Sequence, residues 1–168
     1  MRKILKDKID GIYQYPSTIL TERSSEVEFP INKTSEVLKA IDRMLEWEQR
    51  HPKSQGLSAV QVGTLSRVAV IKIDGELTVM INPQLTCKFG KQKSNEGCHS
   101  LNEARFILNR SRCGMVKYND VNGNSHHKWL SKKYIRLIQH ELDHMDGILI
   151  SMKGVPYENT SSGSSSKN

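Results

Sequence analysis

The sequence predicts a single α+β domain, with antiparallel or mixed sheets packed around a central helix near the C-terminus. Three observations carry that expectation. Two segments, near residues 35–49 and 131–146, repeat apolar residues with the period of an amphipathic helix. Short β-rich runs lie between them, separated by Asp-Gly, Asn-Pro and Asn-Gly turns. The chain has 168 residues, which matches one domain, and that size buries about 68–70% of the unfolded surface without staples.

In chain order, residues 1–34 are mixed and turn-rich, with Pro16, Pro30 and a Ser-Thr cluster around Ser24. In the first helix Val37, Leu38, Ile41, Met44 and Leu45 form the apolar stripe. Thr34 or Ser35 caps its start, and His51-Pro52 followed by Ser54-Gln55-Gly56 ends it. Val68-Ala69-Val70-Ile71-Lys72-Ile73, the turn Asp74-Gly75 and residues 77–81 read as a hairpin, which Asn82-Pro83 punctuates. Residues 105–108 and 114–118 read as extended, and residues 120–124 as a turn. The second helix has Ser131 as N-cap and Gly147 as its left-handed C′ residue. The catalytic domain is expected over residues 1–150, followed by a polar, Ser-rich, disordered tail over 151–168.

Composition narrows the class. Lys and Arg number 25 against 18 Asp and Glu, for a net charge of +7. That balance permits anionic partners, and solubility alone also accounts for it. The sequence has no zinc-finger spacing, no RNA-binding aromatic signature and no single continuous basic run. Aromatics, at 6%, are too few for an obvious stacking platform. Sequence-specific nucleic-acid binding is therefore not expected. No run approaches the roughly 18 apolar residues of a membrane span. The start, Met1-Arg2-Lys3-Ile4-Leu5-Lys6-Asp7, turns polar too early for a signal peptide. Three cysteines, Cys87, Cys98 and Cys113, make a poor disulfide framework. Together these features predict a protein of a reducing compartment: the cytoplasm, or an organelle after loss of a transit peptide.

Chemistry enters with His140-Glu141-Leu142-Asp143-His144, an H-E-x-x-H run inside the second helix. Positions 140 and 144 share a face one turn apart, so two imidazoles reach one metal. Glu141 hangs beside that metal, within reach of a metal-bound water. Ile135, Leu137, Ile138 and Leu142 flank the run and argue for a largely buried helix. A catalytic site of this kind wants a third protein ligand and an open position. No His follows His144, and the only later Glu is Glu158. The third ligand comes from among Cys87, Cys98, Cys113, His99, His126 and His127.

Three segments point to a known family. They are Gly56-Leu57-Ser58-Ala59-Val60-Gln61, then Glu96-Gly97-Cys98-His99-Ser100, then Gln139-His140-Glu141-Leu142-Asp143-His144 with Gly147. In that order and spacing they resemble the signature motifs of peptide deformylases: Gly-x-Gly-x-Ala-Ala-x-Gln, Glu-Gly-Cys-x-Ser and Gln-His-Glu-x-Asp-His-x-x-Gly. The resemblance covers roughly residues 1–150 and implies that Cys98, His140 and His144 hold one divalent metal. It implies Fe(II) physiologically, with Zn(II), Ni(II) or Co(II) able to replace it. It further implies removal of the formyl group from the N-terminal methionine of nascent polypeptides, with N-formylated nascent chains as partners. The metal would lower the pKa of a water that attacks the formyl carbon, with Glu141 as general base and then acid. Gln61 and the backbone N–H of His99 would hold the developing oxyanion. Gln55, Gly56, Arg105 and Arg136 would line the substrate site, Gly56 by pairing with the peptide as an added strand. A Glu96–Arg105 ion pair is a further expectation. A monomer is expected, with ribosome docking left open by the short tail.

Departures from the pattern sit in two places. The first motif carries Ser54 for a Gly, Gln55 for an apolar residue and Ser58 for an Ala. Ser54 restricts the backbone, and Ser58 adds a hydroxyl that needs a partner if buried. Arg136 lies one turn before His140, where the family has an apolar residue lining the methionine pocket. Either the pocket takes a more polar side chain, or Arg136 snorkels out with its stem against the pocket. Cys87 and Cys113 are expected as ordinary core cysteines, and His99 as a rim residue. His126-His127 is expected in a surface turn. Two other functions compete: a different H-E-x-x-H metallopeptidase, and a non-catalytic relative that binds formyl-peptides or the ribosome.

Overall fold

The computed structural model describes residues 7–102 and 104–158. A small hairpin comes first, β1 (Lys8–Ile9) with β2 (Ile12–Tyr13). Helix α1 (Glu36–Arg50) begins at Ser35, whose hydroxyl accepts from the Leu38 N–H. That choice settles the cap between the two expected candidates. Strands β3 (Gly56–Ser58), β4 (Val68–Ile73) and β5 (Glu76–Phe89) follow, then β6 (Gln92–Gly97) and β7 (Arg105–Arg110). Strands β8 (Cys113–Asn119) and β9 (Ser125–Ser131) lead into helix α2 (Lys132–Met145). A short helix α3 (Ile150–Lys153) and strand β10 (Val155–Pro156) complete the described chain.

All named strand pairs are antiparallel. The larger sheet has the order β3-β4-β5-β8-β9, and a smaller one the order β10-β7-β6. Strand β4 explains its own continuous apolar run. Val68 and Val70 pack toward α1, while Ala69, Ile71 and Ile73 pack toward α2. A strand covered on both faces has no polar side to show. Helix α2 seats Ile135, Ile138 and Met145 against that second face. Full burial of such a side chain is worth about 1.5–3 kcal/mol, so the metal-binding motif is fixed by its apolar stripe. Gly147 closes the helix with φ +72°, the left-handed conformation expected of it.

Four local expectations need correction. Asn82-Pro83 does not end the strand. Asn82 adopts φ +50°, the register shifts between Ile81 and Gln84, and β5 runs on to Phe89. The Asn82 amide accounts for this, since it accepts from Val27 N and donates to Val27 O, both at 2.8 Å. His126 and His127 lie in the edge strand β9, not in a turn. Cys87 is exposed and Cys113 half-buried, so neither is a core residue. Finally, order continues past residue 150. The Lys153 ammonium donates to Asp143, and β10 pairs with β7. The rest of the expected tail, residues 159–168, lies outside the described residues. Among the described residues, no helix is long and apolar enough to cross a membrane.

Candidate active site

Three elements bring the site together. Helix α2 supplies His140, Glu141 and His144. The end of β6 supplies Cys98. The helical turn Ala59–Val62 after β3 supplies Gln61. The donor atoms of Cys98, His140 and His144 all lie within 4.8 Å of one another. Sγ of Cys98 is 3.2 Å from Nε2 of His144. Of the other candidates for third ligand, His126, His127, Cys87 and Cys113 lie elsewhere on the larger sheet, and His99, beside Cys98, turns its Nε2 to Ser54 at 3.2 Å and is not among the clustered donors.

Electrostatics favour a cation at this cluster. Burial pushes the Cys98 thiol up, but the imidazoles of His144 and His140 outweigh burial and hold it well below its ordinary value. Burial favours neutral His140, yet Cys98 and Glu96 outweigh that and push the imidazole up to about 10. A thiolate facing two imidazoles calls for positive charge among them. A divalent ion that takes thiolate and imidazole donors meets that need, so the residues present fit such a metal. Nδ1 of His140 lies 3.0 Å from Oε2 of Glu96, which directs Nε2 toward the cluster. Burial drives the Glu141 carboxyl upward, and its Oε2 has no hydrogen-bond partner within the protein.

Behind the donors lies an ion network. Arg110 at the end of β7 donates from Nε and Nη2 to the two oxygens of Glu96, at 2.9 and 2.8 Å. Its Nη1 donates to Asp143. Burial raises the Glu96 carboxyl, but His140 and Arg110 outweigh it and hold it down at about 2. The expected Glu96–Arg105 pair therefore does not form. Arg105 instead donates to the side chain and backbone carbonyl of Asn95. Strand alternation gives the reason. Glu96 faces Phe106 across the ladder, on the face that also holds Leu108 and Arg110, whereas Arg105 points the other way.

The altered first motif is internally satisfied. Ser58 is fully buried, and its hydroxyl and N–H both donate to Oε1 of Gln61, at 3.2 and 3.0 Å. This frees the Gln61 amide to donate to Oγ of Ser100 at 3.1 Å. Ser54 is absent from the residues with positive φ, so the side chain there creates no backbone strain. Its hydroxyl donates to Oε1 of Glu48 at 2.6 Å and lies 3.2 Å from Nε2 of His99. The His99 ring also meets the edge of Trp47, and its carbonyl accepts from Nε2 of Gln14 at 2.9 Å. At Gly56 a Cβ would lie 3.3 Å from Oε1 of Glu141, so α2 approaches β3 closely there.

A groove of about 810 Å³ runs over these groups. Gln55, Gly56, Gln61, Cys98, His99, Arg105, Arg136, His140 and Glu141 border it, while His144 lies behind, 1% exposed. Arg136 is half-buried there and has no ion-pair partner among the described residues. Sequence reasoning missed Gln14 and Trp47 as parts of this wall, and Glu48 buried behind Ser54. Glu48 left a readable signal: it falls on the same helical stripe as Ile41 and Met44.

Fold and donor set together define a class: a metal-dependent hydrolase on an α+β core, with a helical H-E-x-x-H and a thiolate as third donor. The sequence profile of polypeptide deformylases matches residues 9–159. The chain belongs to that family. A peptide deformylase of Thermodesulfovibrio yellowstonii is 35% identical over 86% of this chain and 88% of its own length. The crystal structure of peptide deformylase from Thermotoga maritima superposes with a TM-score of 0.77, at 31% identity over 86% and 97% of the two chains. A Plasmodium falciparum peptide deformylase solved with an inhibitor gives 0.74, at 32% identity over 85% and 88%. The family implies a divalent metal, and the cluster of Cys98, His140 and His144 accommodates one.

Proposed function

We propose that this chain removes the formyl group from the N-terminal methionine of nascent polypeptides, using one metal held by Cys98, His140 and His144, with Fe(II) the physiological ion. The observation that carries this reading is the convergence of one thiol and two imidazoles beside Glu141, whose buried carboxyl has no protein partner. When bound, the metal supplies Lewis-acid polarisation and a water of lowered pKa. Glu141 takes the proton of the attacking water and returns it to the departing amine. The Gln61 amide and the backbone N–H of His99 donate to the oxyanion that develops on the formyl oxygen. Gln61 is held for this by Ser58, and the His99 segment by Gln14 and Ser54. Strand β3 is an edge strand, so Gly56 offers its backbone to an extended peptide. Arg105 borders the far wall and binds the peptide.

Gln55 and Arg136 turn part of the methionine pocket polar. We read the pocket as accepting polar or acidic side chains beside methionine. The protein acts as a monomer in a reducing compartment, which keeps a thiolate and a ferrous ion intact. Ribosome contact at the nascent chain fits the same reading. A non-catalytic relative is disfavoured by the intact set of Glu141, Gln61 and the three donors.

The test is anaerobic reconstitution with Fe(II), and in parallel with Ni(II) and Zn(II). Formate release from formyl-Met-Ala-Ser is then measured, with Glu141→Ala as control. Stoichiometric metal and turnover that collapses in the control are expected. Equal turnover in the control, or no metal bound, overturns the reading.

A further inference from the structure

Charge in the groove is uneven along the path that follows the methionine. Nε2 of Gln61 lies 3.9 Å from Sγ of Cys98, beyond the C-terminal end of β3. A formyl group held there sets the direction of the peptide. On the free edge of β3 the peptide runs antiparallel to that strand, and the residues after methionine pass Gln55, Ser54 and Lys53. At about 3.3 Å per residue, the first two of them cover that stretch. Across the groove stands the end of β6, where Gly97 pairs with Arg105. Lys53 and Arg105 both border the groove, and both are exposed.

Neutral acceptors fix Arg105 in place. Its Nε donates to Oδ1 of Asn95 at 2.9 Å, and its Nη2 donates to the Asn95 carbonyl at 3.0 Å. Nη1 makes no hydrogen bond among the described residues. It lies over Gly97, where a Cβ would come within 3.2 Å of it. The guanidinium is thus held over the backbone that leads to Cys98, with one nitrogen free and its charge unmatched. The acids that border the groove are engaged elsewhere. Asp10 pairs with Arg50 and His51 at 3.1 and 2.8 Å, and Glu96 pairs with Arg110 and His140. Glu141 stands beside the metal donors. Neither Lys53 nor Arg105 forms an ion pair among the described residues. Scattered surface cations serve solubility, but that purpose does not call for a guanidinium pinned by two hydrogen bonds beside the reacting centre.

We propose that the groove selects nascent chains with an acidic side chain in the two residues after methionine, its carboxylate met by the cations of Lys53 and Arg105. The inference rests on the deformylase reading and names a substrate class for it. It is separate from the role of Arg136, which faces the side chain of the first residue. A charged, fixed donor with a free nitrogen suits a carboxylate, which accepts at both oxygens. Composition hid the feature, since the net charge of +7 does not say which cations share the groove.

The experiment measures kcat/KM for formate release by the full, Fe(II)-loaded chain on formyl-Met-Ala-Ser and on the peptides with Asp or Lys in place of Ala or of Ser. Measurements at about 50 and about 300 mM salt separate charge from shape. An exposed charge pair is worth about 1.5- to 5-fold. Asp peptides should exceed the neutral one by that factor, Lys peptides should fall below it, and the spread should narrow at the higher salt. Lys53→Glu with Arg105→Gln should abolish or reverse the order, with the circular dichroism spectrum of the parent. The same peptides are titrated calorimetrically into Zn(II)-loaded Glu141→Ala, which reads the preference without turnover. No formate from any peptide would overturn the deformylase reading, and the order of affinities would still test the groove. Equal affinities for Asp and Lys peptides overturn the proposal, as does an acidic preference that survives in the double variant.

Discussion

The Ser54 hydroxyl donates to Oε1 of Glu48 at 2.6 Å, joining a residue of the groove wall to the buried face of α1. Ser54 stands where the family pattern has a glycine, and Glu48 stands on a stripe that is otherwise apolar. Each would be costly alone, as a hydroxyl or a carboxyl buried without a partner. Together they satisfy the Ser54 hydroxyl and one carboxyl oxygen of Glu48, whose Oε2 keeps no partner within the protein, and His99 joins through its ring nitrogen.

Glu48 should therefore impose a pH dependence on stability. Burial raises its carboxyl above the ordinary value of 4.5, against the opposing effects of Ser54, Lys72 and His51. In that window the folded state holds a proton that the unfolded state has released. Stability contributed by the protonated form is present at low pH and is lost as pH rises through the raised value. Glu48→Gln removes the loss while leaving an oxygen to accept from Ser54. Thermal unfolding at about pH 4.5 and about pH 8 tests this: the Tm advantage of the variant should grow with pH. A constant difference would show that Glu48 titrates normally.

Arg110 and Arg105 should separate cleanly. Arg110 is 5% exposed and serves Glu96 and Asp143, so Arg110→Ala takes the guanidinium from two buried carboxylates and leaves Glu96 only His140 and Asp143 only Lys153. Loss of one partner from a buried pair costs about 3–5 kcal/mol. Arg105 is exposed, and Arg105→Ala should change stability by less than about 0.5 kcal/mol while raising KM for formyl-peptides. Urea unfolding measures both. Comparable losses in the two variants would refute this ranking.

That pair also marks how far sequence could see. The two helices, the hairpin at Asp74-Gly75 and the pairing of His140 with His144 on one helix face were legible because period and spacing encode them locally, whereas Cys98 stood apart from the other candidate ligands only through the family resemblance. The partner of Glu96 was not, because it depends on which face of β7 meets β6. Alternation from buried Leu108 would have placed Arg110 inward, but only with the strand pairing known. Strands β6 and β9 were missed for a related reason. Gln92–Gly97 and Ser125–Ser131 are polar and form strands through ladder partners rather than by their own propensity.

Glu141 offers the sharpest separation of binding from chemistry. It is not one of the three clustered donors, so Glu141→Ala should retain metal at the parent stoichiometry. Loss of a general acid–base group lowers kcat by about 100- to 10,000-fold. Metal content by elemental analysis and formate release on the same sample decide it. A variant without metal would make Glu141 a ligand-ordering residue instead.

Arg136 should set side-chain preference. It borders the groove one turn from His140, half-buried, with Gln55 on the same cavity wall, and no acid pairs with it among the described residues. A guanidinium held there wants an acceptor, and a hydrogen bond to a charged group is worth about 1.5–3 kcal/mol. In kcat/KM that corresponds to about 10- to 100-fold. Arg136→Leu should therefore shift the ratio of formyl-Met to formyl-Glu peptides toward methionine by that factor. Formyl-Gln should shift less, since it offers a neutral acceptor. Arg136 and Leu137 both border the groove, so KM for formyl-Met alone does not discriminate. The ratio does: if it is the same in parent and variant, the guanidinium reaches solvent and only its methylenes line the pocket.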